Sequence, residues 1–190
     1  FISDLARHFE RWDLSRLYKM AHYARVMPCN WKIAQEAFCE AYHVNATHPQ
    51  ILESLGDINS QVDVYENCAR VITPSVTPSP LLERQIPDED LLRSMMDIGV
   101  NEETPNLGGK MPRAWMAQNS REALRGAAGD LVDEYCDAEM VDNLDYTLFP
   151  NFHPWGAFNR IVYRFRPNGN DHRSSIMECI LLAPFQGERP

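Results

Sequence analysis

Two histidines five residues apart, His43 and His48, lie in the stretch "NWKIAQEAFCEAYHVNATHP" (residues 30–49), with Glu36 and Glu40 just upstream and Trp31, Phe38 and Tyr42 among them. Imidazole and carboxylate side chains together make the donor set of a mononuclear metal centre. Neutral imidazoles suit iron, zinc, copper or nickel, so the pair alone does not choose the metal. On a helix, two histidines share an ion most easily at a separation of four, where both project from one face. At five, the second side chain is rotated by roughly 140° at 3.6 residues per turn. A shared ion therefore requires the helix to end between them. The residues agree, because Val44, Asn45 and Thr47 are weak helix formers and Pro49 pushes His48 away from the α region. His43 is then expected to close a helix, and His48 to return from an extended segment. The chain has six histidines, so two at this spacing are also compatible with ordinary surface or core positions, and Glu36 and Glu40 with a solvated helix face.

The elements that would position these groups follow from hydrophobic periodicity. Trp31, Ala34, Phe38, Ala41 and Tyr42 recur at three and four residues, which predicts one helix from Asn30 through Tyr42. Upstream, Ser3 is placed to cap a short helix running to about Phe9. Leu17 to Met27 alternates Tyr18, Met20, His22, Ala24 and Val26 against Lys19 and Arg25, the pattern of a half-buried strand closed by Pro28. Two strands, "QVDVYE" and "ARVITPSV", are expected to join at Glu66 and Asn67, and Pro74, Pro78 and Pro80 to make an irregular edge. Pro87 to Gly99 carries acids at its front and glycine at its end, both helix signals, and residues 100–112 read as a loop. Helices are expected over Asn119 to Ala127 and over "DAEMVDN". The remainder returns to strand chemistry, with Asn168-Gly169 as the turn of a hairpin. The fold class is α+β: an antiparallel sheet with several helices packed on it.

Composition narrows the functions available. The chain has 190 residues, of which 44% are hydrophobic and 24% charged, and this reads as one folded domain, residues 1–190. A net charge of -9 disfavours nucleic acid and anionic membrane as partners, and no apolar run approaches the ~18 residues of a membrane span. Cysteines at 29, 39, 68, 136 and 179 are odd in number and lack C-x-x-C spacing. They are expected to be reduced thiols buried as small hydrophobes in a cytoplasmic protein. Arg160, Arg164 and Arg166 are expected on a solvated strand face. A start at Phe1 and an end at "FQGERP" suggest a piece of a longer polypeptide.

The stretch as a whole is more specific than its spacing. Asn30-Trp31-Lys32, Glu36, Phe38, Glu40, Tyr42-His43 and His48-Pro49 resemble the catalytic-domain signature of Rieske-type aromatic-ring-hydroxylating oxygenases, large (α) subunit. Further on, "LFPNFHPWG", "IVYRFRPNGND" and "ILLAPF" look like the family's late sheet, so the similarity spans about Pro28 to Phe185. The resemblance implies a helix-grip (Bet v 1-like) domain with a long helix across a curved antiparallel sheet. It implies a mononuclear Fe(II) held by two histidines and one carboxylate, with open positions for O2 beside an aromatic or bulky apolar substrate. By position, His43 and His48 become the two imidazole ligands. Glu40 becomes the acid that links an iron histidine to the [2Fe-2S] cluster of a neighbouring subunit. Trp31, Phe38 and Tyr42 are assigned to packing.

Three departures from the pattern matter. The family's Glu-Asn-Phe is here Glu36-Ala37-Phe38, which predicts a roomier and less polar site. The third ligand, an Asp in the family, is expected past Pro190, and nothing maps it onto Asp130, Asp133, Asp137 or Asp142. The C-x-H and C-x2-H pairs of a Rieske domain are missing, so that domain is expected upstream and the catalytic domain to be incomplete. The resemblance further implies an oxidoreductase of aromatic hydrocarbon catabolism, with electrons from NAD(P)H arriving through a reductase and in some systems a ferredoxin. A homotrimer or α3β3 assembly is expected, and the isolated chain is expected to be inactive. Demethylation or monooxygenation on the same architecture, and a non-catalytic helix-grip module for apolar ligands, are the rival readings.

Overall fold

The computed structural model describes residues 1–157, 159–185, 187 and 188. Its packing divides the chain into two compact units, one made of Phe1–Glu40, Val62–Val71 and Leu144–Pro190, the other of Ala41–Gln61 and Ile72–Asn143.

The first unit is built on a sheet. Its strands are β1 (Leu17–Met27), β2 (Gln61–Val64), β3 (Cys68–Thr73), β4 (Asn143–Leu148), β5 (Phe152–Pro154), β6 (Ile161–Asn168) and β7 (Asp171–Pro184). They form a seven-stranded sheet in the order β1-β7-β6-β5-β4-β3-β2. The pairs β1–β7, β6–β7, β5–β6 and β4–β5 are antiparallel. The β6–β7 turn is where the sequence places it: Asn168 pairs with Asp171, and Gly169 takes φ +61°, a left-handed conformation open to glycine at little cost. The α+β class with an antiparallel sheet is as expected.

Residues directly opposite in neighbouring antiparallel strands share a face. Ala24, Glu178 and Arg164 line up on one face, and Tyr23, Cys179, Tyr163 and His153 on the other. Helix α1 (Ser3–Phe9) packs Phe9 against Tyr146 with ring centroids 5.0 Å apart. Helix α2 (Trp31–Glu36) leads into Phe38, which lies 4.8 Å from Tyr163 and 5.3 Å from the fully buried Phe165.

Several expectations are corrected here. Strand β1 spans the expected residues but is not half-buried: Met20, Tyr23 and Val26 are 57%, 64% and 59% exposed, because β1 is the edge of the sheet. Ser3 does not cap α1; Ile2 stands at that position and no side-chain bond is made. The arginines of β6 do not form a plain solvated face. Arg164 Nε and Nη2 donate to Glu178 at 2.6 and 2.9 Å, Arg166 Nε donates at 3.2 Å, and His22 Nε2 lies 3.1 Å away.

The second unit carries α3 (Val44–Thr47), α4 (Asp88–Met96), α5 (Pro112–Ala128) and α6 (Asp137–Val141). Ala41, Val44, Leu52 and Leu55 form a buried cluster with Ile51 and Leu82 packed against it. Helix α5 starts seven residues before the expected Asn119, with Pro112 in its first turn, where a missing N–H costs nothing. Helix α4 ends on Asp97 at φ +54°, not on Gly99. All five cysteines are free, but Cys136 is exposed, so burial as small hydrophobes fails for it.

Candidate functional site

The predicted helix over Asn30–Tyr42 is the main local correction. Asn30 caps α2 by accepting from the Lys32 N–H at 3.0 Å, yet α2 ends at Glu36. The N–H groups of Phe38 and Cys39 then donate to the carbonyls of Gln35 and Glu36, three residues back, which tightens the chain into a turn. The physical reason is tertiary: the Phe38 ring is drawn down onto Tyr163 and Phe165, and a continued α-helix would have to surrender that packing. Glu40 is therefore not on a helix shared with His43, and their spacing of three does not place them on one helix face. Tyr42 is 73% exposed rather than packed.

His43 and His48 instead flank the single turn of α3, His43 at its N-terminal and His48 at its C-terminal boundary. The rings lie 5.5 Å apart, centroid to centroid, and cross at 78°. The turn holds them there. The His43 carbonyl accepts from Ala46 N–H (3.0 Å), Thr47 N–H (2.9 Å) and Thr47 Oγ1 (2.8 Å), and His48 N–H donates to Val44 O at 2.8 Å. His48 leaves the α region, at φ -133° and ψ 47°, as the following Pro49 requires. The expectation that a helix ends between the histidines is corrected: the helical turn lies between them, so His43 opens it rather than closing a helix, and His48 ends it rather than returning from an extended segment. Val44 is buried and anchors the turn in the second unit's core.

The pair brings two potential donor rings near one another. It does not bring a third: among the described residues, no group of three His, Cys, Asp or Glu is placed to hold a metal ion. The four candidate aspartates are each held by arginine. Asp142 takes both Nη atoms of Arg113 and the Ser75 N–H, Asp137 takes Arg121, and Asp133 and Asp130 both take Arg125.

A second chemical cluster, which sequence reasoning missed, sits in the first unit where α2 meets β4 and β5. His153 is buried, with Nδ1 3.0 Å from Thr147 Oγ1 and Nε2 3.3 Å from Gln35 Oε1. Both contacts are satisfied when Nε2 carries the proton and donates to Gln35 while the Thr147 hydroxyl donates to Nδ1. Thr147 Oγ1 can then accept from Cys39 Sγ at 3.3 Å. Burial pushes the His153 imidazole down to about 4, so it is neutral at physiological pH. Burial likewise raises the Cys39 thiol, and the Asp145 carboxyl, on the same strand as Thr147, is pushed up to about 7. The available signal was an acid inside the otherwise apolar alternation "LDYTLF".

Among the described residues, no helix is long and apolar enough to cross a membrane. The family model described as ring hydroxylating alpha subunit (catalytic domain) matches residues 4–185. Similar solved structures include naphthalene 1,2-dioxygenase bound to phenanthrene, at 15% identity and a TM-score of 0.49 over 98% of this chain and 39% of that one. A quaternary ammonium Rieske monooxygenase, CntA, in complex with an inhibitor, matches at 12% identity and a TM-score of 0.50 over 97% of this chain and 35% of that one. The second likeness shows a shared fold. The chain therefore spans about two fifths or less of the length of these structures. No curated protein sequence matches it.

Proposed function

From the premise that this chain belongs to the ring-hydroxylating α-subunit family, catalytic domain, we propose that it is the mononuclear-iron part of a Rieske-type oxygenase that hydroxylates an aromatic or bulky apolar substrate. The observation that carries the reading is the placement of His43 and His48 at the two ends of one helical turn, their rings 5.5 Å apart. The iron, when bound, would supply the activation of O2. His43 and His48 would hold it as neutral imidazoles, with α3 fixing the direction from which each ring approaches. Glu40 is assigned the path between this centre and the cluster of a neighbouring subunit. The third ligand, a carboxylate, and the [2Fe-2S] domain are assigned to polypeptide outside these residues, the latter upstream. The four aspartates in hand, already engaged by Arg113, Arg121 and Arg125, support that assignment for the third ligand.

Electrons would come from NAD(P)H through a reductase, with or without a ferredoxin, to a trimer of this subunit alone or an α3β3 assembly. One solved structure that shares this fold is a monooxygenase by name, and insertion of one or two oxygen atoms is compatible with the same ligand pair.

The test is the ratio of iron to acid-labile sulfide in the intact parent polypeptide. About three irons per two sulfides is expected, falling to about two per two in His43→Ala. A ratio near one in the unmodified protein would leave the histidine site empty and sink the reading.

A further inference from the structure

Beside the neutral His153, the first unit presents a corner made of one acid and several rings. Asp145 and Trp155 face each other across β4 and β5 through an isolated antiparallel bridge. Trp155 and Tyr163 stand 6.0 Å apart, centroid to centroid, with planes at 84°, so their ring faces form two walls at a right angle. Phe38 lies 4.8 Å from Tyr163 on its other flank. Asp145, Trp155, Tyr163 and Phe38 are each only partly exposed. Yet Asp145 Oδ1 is shielded from solvent and has no hydrogen-bond partner among the described residues.

The charges around this corner share a sign. Glu36, Asp145 and Glu40 all act on the Cys39 thiol, and Asp145 also acts on the Tyr163 hydroxyl. No cation is among the groups that shift Asp145; its carboxyl is raised by desolvation alone. A shielded carboxylate without a counter-ion is costly, and aromatic faces attract cations through the ring quadrupole. Both features are met by one kind of ligand.

We propose that this corner binds an organic ammonium group, with the Asp145 carboxylate as counter-ion and the rings of Trp155 and Tyr163 as walls. The inference rests on the oxygenase reading only in taking the bound cation as part of the substrate. It narrows that substrate from any bulky apolar ring to one carrying a basic or quaternary nitrogen.

The test compares two probes of nearly equal shape, phenyltrimethylammonium and tert-butylbenzene, titrated into the intact parent polypeptide and followed by calorimetry. At about pH 8, where Asp145 is ionised, the cation is expected to bind roughly tenfold or more tightly than the hydrocarbon. Asp145→Asn should abolish that preference and leave tert-butylbenzene binding unchanged. Tyr163→Leu, which keeps the acid, should weaken the cation more than the hydrocarbon. Equal affinities, a preference that survives Asp145→Asn, or no binding of either probe would overturn the proposal. Tight binding of the hydrocarbon alone would overturn it while leaving the oxygenase reading intact, since that reading is judged by the iron count of the parent protein.

Discussion

Replacing Glu178 with Gln tests how the sheet of the first unit is held together. The carboxylate is only 4% exposed and receives Arg164 Nε and Nη2, Arg166 Nε and the edge of His22. These come from β6 and β1 on either side of β7, so one carboxylate ties three neighbouring strands. The bonds from Arg164 lower the acid furthest, followed by those from Arg166, and hold it at about 2 against an ordinary 4.5. At about 1.4 kcal/mol per tenfold change in proton affinity, that depression is worth about 3 kcal/mol before screening. Both guanidiniums are nearly half exposed, 45% and 44%, and water around them should roughly halve the figure, to about 1.5–2 kcal/mol.

Because the folded-state value lies below the unfolded one, this stabilisation is complete above about pH 4.5 and is lost as pH falls towards about 2. Urea unfolding of the wild-type chain and Glu178→Gln should differ by about 1.5–2 kcal/mol at about pH 7. At about pH 3.5 roughly a third of that difference should remain. Gln keeps the shape and an acceptor oxygen, so the difference reads the charge. A difference below about 0.5 kcal/mol at neutral pH, or one that does not shrink with acid, would refute the reasoning.

Two other substitutions read the interior. At Gly156 an added Cβ would sit 2.8 Å from Tyr146 Cε2 and 2.9 Å from Trp12 Cη2, and Tyr146 is fully buried, so Gly156→Ala should destabilise by about 1–3 kcal/mol in denaturant titration. Asp145 is raised from 3.8 to about 7 by burial, so the ligand-free protein loses stability as pH rises through that range. Asp145→Asn removes this loss and should gain about 2 kcal/mol on wild type between about pH 4 and pH 8, discounted for partial exposure. Parallel stability curves for the two proteins would exclude a buried, unpaired acid.

The sequence alone determined what depends on near neighbours. Alternation placed β1 at Leu17–Met27, a left-handed glycine placed the β6–β7 turn, and Pro49 took His48 out of the α region, although the weak helix formers before it still made the turn α3. Each is a matter of local backbone preference. The family was legible because its signature lies within a short motif, the one that holds His43, His48 and Glu40. Tertiary structure decided where long-range packing overrides local preference. Helix α2 stops at Glu36 because Phe38 finds Tyr163 and Phe165, residues more than a hundred positions away, so the continuous helix that periodicity predicts does not form. It also decided that Arg164 and Arg166 converge on Glu178, since strand pairing brings a residue fourteen positions from Arg164 directly opposite it. His153 and Asp145 owe their altered proton affinities to desolvation, which arises only once α2 and the strands have closed around them.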